Sequence, residues 1–179
     1  GDTLDVFVCH FPSRSGGAKE SEPYRLYVAH ILRTEVDSIM NIRSHPQAII
    51  MGDFNDYPTN QSILKILKAE APPVKTNDLA STTDSANAST VTPSSLKLYH
   101  LLARKAKSKD FGSYKYRGEW GLLDHLIVSG TLLNQSNHFF TSEEKANVCL
   151  LPFLLKDDEK YGDKEPFRTY KGMKYQGGI

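Results

Sequence analysis

The sequence predicts an α/β fold in a single domain, residues 1–179, because short β-favouring apolar runs alternate with a segment of helical spacing. The first two runs, residues 4–9 and 48–51, are separated by an amphipathic segment, and a third run lies at residues 122–128. A strand, a helix and a strand in this order predict a sheet with helices packed against it. A chain of 179 residues is long enough to bury a sizeable core.

The composition argues against several classes of protein. The chain has 22 Lys and Arg residues against 21 Asp and Glu residues, so no overall positive field indicates a dedicated nucleic-acid binder, although a local basic patch stays open. Cys9 and Cys149 are too few for a disulfide framework and are interpreted as buried small hydrophobes. No apolar run is long enough to form a transmembrane segment.

The first half of the chain predicts one long helix between two strands. Residues 4–9 form the first strand, which His10 ends, and a loop rich in Ser and Gly follows. Ser21 is the expected N-cap of the helix, with Pro23 in its first turn. The apolar face of this helix is formed by residues at helical spacing: Val28, Ile31, Leu32, Val36, Ile39 and Met40.

The stretch after the second strand predicts a shorter helix and then a long loop. Apolar residues between positions 63 and 67 mark the helix, and Thr59 or Asn60 is its expected N-cap. Residues 71–95 are rich in Ser, Thr, Asn and Pro and show no periodicity. We therefore expect a surface loop within the same domain.

The C-terminal half predicts one more helix and two more strands. Residues 96–105 show helical spacing, residues 112–120 alternate aromatic and basic side chains like a half-exposed strand, and residues 147–155 read as a further strand. The charged residues 156–165 and the glycine-rich residues 169–179 predict irregular structure.

The most informative stretch is residues 48–58, an apolar run that stops at Gly52 and then offers polar groups. Gly52 allows the backbone to turn or to approach a ligand closely. Asp53 and Asn55 can point to the same side of an extended backbone. A carboxylate beside a carboxamide can orient a water and donate a hydrogen bond to an anionic oxygen, as phosphate ester hydrolysis requires. The alternative is ordinary turn chemistry, in which Asx side chains bond their own backbone.

Three motifs, in order along the chain, resemble those of the endonuclease/exonuclease/phosphatase superfamily, which includes DNase I-like nucleases and inositol polyphosphate 5-phosphatases. Residues 52–55, Gly-Asp-Phe-Asn, resemble its GDFN signature. Residues 6–12 resemble the strand that delivers a phosphate-contacting His, which is His10 here. Residues 120–129 resemble the strand whose Asp, here Asp124, orients the catalytic His. The resemblance implies that this α/β chain is part of a four-layer α/β/β/α sandwich, with a mixed, mainly antiparallel sheet flanked by helices.

The same resemblance implies a chemistry: metal-dependent hydrolysis of a phosphodiester or phosphomonoester by an activated water. His10, Asp53, Asn55 and Asp124 are the implied catalytic residues, with Mg²⁺ or Mn²⁺ held near Asp53 and Asn55. The principal metal-binding Glu of the family, and the His that Asp124 would orient, have no match in this chain. We therefore expect the chain alone to be nearly inactive.

The substrate class stays open among nucleic acid, phospholipid and sugar phosphate. Arg14 is a candidate phosphate contact, and so is Arg117, while Trp120 is expected to lie against a base or ring. The alternatives are a flexible connector around Arg14 and cross-strand packing in the aromatic strand. Two rival interpretations of the whole chain are an incomplete module that self-associates through an exposed sheet face, and a domain that binds phosphorylated ligands without turnover.

Overall fold

The computed structural model describes residues 2–74 and 94–178 and shows a mixed α/β fold. Most of the predicted loop, residues 71–95, lies outside the described residues. The helices and strands are β1 (Asp5–His10), α1 (Glu22–Ile42), β2 (Ala48–Asp53), the short π-helical segment α2 (Ser62–Leu67), β3 (Ala69–Glu70), β4 (Leu98–His100), β5 (Tyr114–Tyr116), β6 (Glu119–Gly121), β7 (Asp124–Ser129), β8 (Leu155–Asp157), β9 (Lys164–Pro166), β10 (Tyr170–Lys171) and β11 (Lys174–Tyr175).

Five of the described strands form one mixed sheet in the order β1, β2, β7, β4, β3. The β1–β2 and β3–β4 pairs are parallel, whereas β7 runs antiparallel to both β2 and β4. The prediction of a mixed sheet is therefore confirmed, but this five-stranded sheet is not mainly antiparallel, because two of its four pairings are parallel. Because β7 runs antiparallel to β2, its first residue lies beside the last residue of β2, which in turn lies beside the last residue of β1.

The helix α1 covers one face of this sheet. Its buried residues are spaced three or four apart and include the predicted Leu32, Val36 and Met40. Ile31 is exposed, so the buried face is rotated from the predicted one. Arg25 takes the remaining place on the buried stripe, where a charged side chain requires a buried partner.

The predicted N-cap of α1 is confirmed in position, and the predicted N-cap of α2 is wrong. Ser21 does occupy the N-cap position of α1, but its hydroxyl donates a hydrogen bond to the Gly17 carbonyl 2.6 Å away instead of accepting one from the helix. Gln61, not Thr59 or Asn60, precedes α2. The Asn60 side chain instead accepts a hydrogen bond from the backbone N–H of Tyr57, because it closes the turn that follows the second strand.

The helix predicted over residues 96–105 is wrong. Leu98–His100 is the strand β4, all of whose residues are buried, and it hydrogen-bonds to β7 on one side and β3 on the other. Only Lys105–Lys107 forms a helical, 3₁₀ turn. Long-range pairing and burial outweigh the local helical spacing here.

The strand predicted over residues 112–120 is instead the hairpin β5–β6. Its two strands are joined by Arg117 and Gly118, which have φ angles of +53° and +85°. Two consecutive residues with positive φ form the type I′ turn that matches the twist of a two-residue hairpin. The Arg-Gly pair in the middle of the aromatic and basic stretch therefore marks a chain reversal.

The C-terminal predictions also need correction. Residues 147–155 are not a strand, because Pro152, which cannot donate to a β-ladder, begins a 3₁₀ turn, Pro152–Leu154. The charged residues 156–165 lie largely in the hairpin β8–β9, and the tail forms the small hairpin β10–β11.

The two cysteines occupy different environments. Cys9 is half-buried and packs against the main core, and burial raises the pKa of its thiol to about 11. Cys149 is exposed, so its predicted burial is wrong. Both thiols are free.

The face of the sheet opposite α1 is only partly covered. Side chains of β7 and β4 pack there against residues 101–146, but Val6 and Val8 of β1 and Met51 of β2 are exposed. This surface is where self-association would occur, and that association stays a prediction. Within residues 2–74 and 94–178, no helix is both long and apolar enough to cross a membrane.

Candidate active site

The ends of three neighbouring strands bring His10, Asp53 and Asp124 into one row. His10 at the end of β1 is paired in register with Asp53 at the end of β2, and Asp53 is paired with Asp124 at the start of β7. Partners in register place their side chains on the same face of a sheet. The His10 Nε2 atom lies 4.0 Å from the Asp53 Oδ2 atom. Three motifs that are distant in sequence therefore meet where the ends of β1, β2 and β7 lie side by side.

Gly52 permits the close approach of β1 and β2 just before this row. Its φ angle is +131°, and a Cβ atom at this position would lie 2.0 Å from the Cys9 carbonyl oxygen. Only glycine fits such a backbone. The glycine of the Gly-Asp-Phe-Asn motif thus has a structural reason that is independent of any ligand.

Asp53 is the carboxylate with the most unusual environment in the row. The pKa of Asp53 is raised overall. Burial is the largest cause, and the nearby charge of Asp124 acts in the same direction. The hydrogen bond from the Asn55 N–H and the charge of His10 lower the pKa but do not outweigh burial. Its side chain is still 38 % exposed. A carboxylate with a raised pKa and access to water is a better proton acceptor than an ordinary one.

Asn55 lies in a tight turn and not on the extended backbone that the sequence suggested. Its φ angle is +49° and its backbone N–H donates to Asp53 Oδ1 at 2.8 Å, so the turn chemistry weighed as the alternative is present. Its side-chain Nδ2 donates to the Phe11 carbonyl at 3.0 Å. The turn uses Asp53 Oδ1 and leaves Oδ2 on the side of His10. The turn chemistry is therefore compatible with a site at Asp53.

Arg14 supports this turn from the β1–α1 loop. Its Nε donates to the Asn55 carbonyl at 2.7 Å, and its Nη2 lies 3.3 Å from Asp56 Oδ1 and from Asn60 Oδ1. Its guanidinium also stacks 4.6 Å from the centre of the Tyr57 ring. Arg14, the predicted phosphate contact, is therefore already bonded to the backbone of the turn that carries Asn55.

Asp56 is a buried anchor for the same turn, and sequence reasoning missed it. Its Oδ1 accepts a hydrogen bond from Arg25 Nε at 2.8 Å, and its Oδ2 accepts one from Ser62 Oγ at 2.6 Å. Both Asp56 and Arg25 are 1 % exposed. The remaining Arg25 donors bond to Ser21 Oγ and to the Ala18 carbonyl. The sequence did contain a signal: Arg25 has helical spacing from Ala29 and Leu32, which predicts that it is buried. A buried charge needs a partner of opposite charge, so a buried Asp or Glu could have been expected.

A family model described as the Endonuclease/Exonuclease/phosphatase family matches residues 1–82 and 75–179. The chain belongs to this family. Neither a curated protein nor a solved structure matches it. The predicted family is thus confirmed over the whole chain, and phosphoesterase-type chemistry follows from membership.

The endonuclease/exonuclease/phosphatase family is typically metal-dependent, and the row offers part of a suitable donor set. Asp53 and Asp124 face one another, and their repulsion contributes to the raised pKa of Asp53, which a cation would relieve. Mg²⁺ takes one or two protein carboxylates and keeps several waters. Within the described ranges, no group of three or more His, Cys, Asp or Glu side chains is arranged to hold an ion. Asp53, beside Asp124, is the donor that the row offers to a cation, and a metal site at Asp53 and Asn55 stays a prediction.

Two buried histidines join the five-stranded sheet to the turn that carries Asn55 and Asp56. The Leu102 N–H donates to His100 Nδ1 at 3.1 Å, so His100 carries its proton on Nε2. His100 Nε2 then donates to His125 Nδ1 at 2.7 Å, and His125 Nε2 donates to the Asp56 carbonyl at 2.8 Å. This chain of hydrogen bonds requires both rings to be neutral, and it fixes the backbone next to Asn55.

The histidine pair predicts a stability that falls in mild acid. Burial and the His125 ring lower the pKa of His100 to about 3, and burial lowers the pKa of His125 to about 4. In the unfolded chain both titrate near 6.5, so between about pH 6.5 and 4 the unfolded state binds more protons and stability decreases as the pH falls. We expect urea unfolding at pH 5.5 to give a free energy about 2–3 kcal/mol lower than at pH 7.5.

The variant His100→Gln with His125→Gln provides the control for this prediction. In this variant, the free energy of unfolding should differ much less between pH 5.5 and pH 7.5. Replacing the exposed His30 and His138 should leave that difference in free energy unchanged. An equal pH dependence in all three proteins would show that the buried pair is not its source.

Arg117 and Trp120 lie on the β5–β6 hairpin and not in the row. Among residues 2–74 and 94–178, no hydrogen bond or ion pair joins either of them to His10, Asp53 or Asp124. The hairpin is linked to the row at its base, because the Asp124 N–H donates to Ser113 Oγ at 3.2 Å. The Trp120 ring lies 5.8 Å from Lys115 Nζ.

Proposed function

We propose that the protein is a Mg²⁺- or Mn²⁺-dependent hydrolase that cleaves a phosphodiester or a phosphomonoester with an activated water. The observation that carries the proposal is the row of His10, Asp53 and Asp124, in which the central carboxylate has a raised pKa. Membership of the endonuclease/exonuclease/phosphatase family supports the same chemistry.

Each residue of the row has a role in this proposal. Asp53 accepts the proton of the attacking water, and its half-exposed side chain gives water access to Oδ2. His10 stabilises the charge that develops on the phosphoryl oxygens. Asn55 holds a phosphate oxygen with the amide N–H that Phe11 does not use. Asp124 orients the catalytic His of the family, which has no match among these residues.

The metal and the substrate contacts complete the proposed site. Asp53 and Asn55 would hold the divalent ion, which supplies charge neutralisation when bound. Arg14 contacts a phosphate oxygen while it braces the turn, and Arg117 and Trp120 contact a more distant part of the substrate. We also propose that the five-stranded sheet is one half of a four-layer sandwich, which the exposed Val8 and Met51 support.

Asp53→Ala is the variant that tests this function. Hydrolysis of bis-p-nitrophenyl phosphate, p-nitrophenyl phosphate and plasmid DNA is measured with Mg²⁺, with Mn²⁺ and with EDTA, for this chain and for the longest natural protein that contains it. We expect activity in the longer protein, near-inactivity in this chain alone, and a loss of roughly a hundredfold or more in Asp53→Ala.

Asp37→Ala is the matched control, since Asp37 is an exposed carboxylate on α1 whose partner is Arg33. It should leave turnover unchanged. A longer protein that folds but cleaves none of the three substrates with either metal would contradict the proposal. That result would favour the alternative, a domain that binds phosphorylated ligands without turnover.

A further inference from the structure

A cavity lies apart from the row of His10, Asp53 and Asp124. It has a volume of about 320 Å³, and none of those residues lines it. Its walls are the β5–β6 hairpin, the β8–β9 hairpin with its connecting loop, and part of the tail. The cavity has two acidic side chains, Asp158 and Glu165. Its basic side chains outnumber them: Lys115, Arg117, Lys156, Lys160, Arg168 and Lys171.

The two carboxylates neutralise only part of this charge. Asp158 pairs with Lys115 at 3.3 Å, and Glu165 lies 3.4 Å from the Lys156 ammonium and 3.7 Å from that of Lys171. No carboxylate of the described ranges forms an ion pair with the other three basic residues of the cavity: Arg117, Lys160 and Arg168.

Each of these three unpaired cations lies against a tyrosine ring of the cavity. The distances from cation to ring centre are 5.2 Å for Arg117 over Tyr116, 5.0 Å for Lys160 over Tyr161 and 4.5 Å for Arg168 over Tyr114. Stacking on an aromatic face restricts a long basic side chain without neutralising its charge. The rings therefore restrict these cations before a ligand arrives, and Arg168 is held further by its hydrogen bond to the Lys115 carbonyl.

A buried lysine holds the walls of the cavity together. Lys115 Nζ donates to the Gly162 carbonyl at 2.9 Å and to the Lys164 carbonyl at 3.0 Å, besides its ion pair with the buried Asp158. Arg168 Nη2 donates to the Lys115 carbonyl at 2.7 Å. Burial raises the pKa of Asp158, but hydrogen bonds from Tyr161, Lys115 and Lys160 outweigh it and lower the pKa overall. The charged walls are thus joined by bonds that persist without ligand.

We propose that this cavity is a second phosphate-binding site, which takes either free phosphate or a non-reacting phosphate group of a larger ligand. Fixed, unpaired Arg and Lys side chains form charge-assisted hydrogen bonds to a tetrahedral oxyanion, and the arginine fork suits its geometry. The tyrosine rings suit a ligand whose phosphate is attached to an aromatic group. The proposal does not depend on hydrolysis at Asp53.

The test is a binding measurement in EDTA, so that no turnover contributes. Inorganic phosphate and adenosine monophosphate are titrated by calorimetry, and the fluorescence of Trp120, the single tryptophan of the chain, is followed in parallel. We expect both techniques to report one site. Binding of inorganic phosphate assigns the site to the free ion, and binding of adenosine monophosphate alone assigns it to a larger phosphorylated ligand.

Arg117→Asn with Lys160→Gln removes two of the unpaired cations. Asn is chosen because an Asn-Gly pair favours the type I′ turn that Arg117 and Gly118 form. Loss of even one charge-assisted hydrogen bond should weaken binding by about tenfold or more. Lys107→Gln with Lys109→Gln changes the net charge equally on an exposed segment and should leave binding unchanged.

His10→Ala separates this site from the proposed hydrolytic one, because it removes a phosphate contact in the row and leaves the cavity intact. The dissociation constant should be the same in this variant. The proposal is overturned if neither ligand binds at about 10 mM, if both double variants weaken binding equally, or if His10→Ala abolishes it.

Discussion

Asp56→Ala is expected to lower the free energy of unfolding by about 3–5 kcal/mol, although Asp56 has no role in the chemistry. The substitution leaves the Arg25 guanidinium, which is 1 % exposed, without its carboxylate. It also removes the acceptor of the Ser62 hydroxyl and a partner of Arg14. Urea unfolding at pH 7.5, followed by circular dichroism, measures the loss.

A paired substitution separates the burial of a charge from the loss of packing. Arg25→Met with Asp56→Leu removes both charges and should be more stable than Asp56→Ala alone, because no unpaired ion remains in the core. Asp157→Ala, in which the exposed ion pair with Lys164 is broken, should change stability by less than about 1 kcal/mol. A loss as small as this in Asp56→Ala would mean that Arg25 finds water or another acceptor.

The part of the fold that local pattern determines was predictable. Strand β1, helix α1 and strand β2 each carry a periodicity or an apolar run long enough to identify, and the family motifs place His10, Asp53 and Asp124 at strand ends. Their side-by-side row follows from the parallel and antiparallel pairings of β1, β2 and β7. The elements and the motifs needed no knowledge of distant contacts, whereas the row depends on pairings between residues far apart in the chain.

The elements that the sequence did not reveal are short, and local composition or spacing suggested something else for each. Strand β4 has three residues, and its identity comes from β7 and β3 on either side. Spacing alone therefore suggested a helix there. The hairpin β8–β9 is made largely of charged residues, a composition that suggested a loop, and its strands are held by pairs such as Lys164 with Asp157 that form only after the chain reverses.

The support of the turn at residues 53–57 was hidden because it comes from distant elements. Asp56 meets an arginine from α1 and a serine from α2, while its carbonyl accepts a hydrogen bond from His125 on β7. The motifs identified His10, Asp53 and Asp124, which lie at strand ends. The residues that hold the motif rigid come from several elements, and preorganisation of this kind is a tertiary property.

Gly52→Ala is the second substitution with a large expected effect, and it acts on the backbone alone. The new Cβ would lie 2.0 Å from the Cys9 carbonyl oxygen, where β1 and β2 pair, at a φ of +131° that side-chain-bearing residues rarely adopt. Backbone strain and forced separation of the strands together predict a loss of about 3–5 kcal/mol in the free energy of unfolding. Urea unfolding measures it, and amide hydrogen exchange of β1 should increase.

Gly16→Ala distinguishes the two causes of that loss. Gly16 also has a positive φ, +80°, but a Cβ there would meet nothing within 4 Å, so only conformational strain applies. Its loss should be about 1 kcal/mol. A similar loss in both variants would show that strand contact adds little at Gly52. The expected gap of about 2 kcal/mol or more would instead show that the glycine of the motif is needed to bring His10 beside Asp53, whatever ligand the site binds.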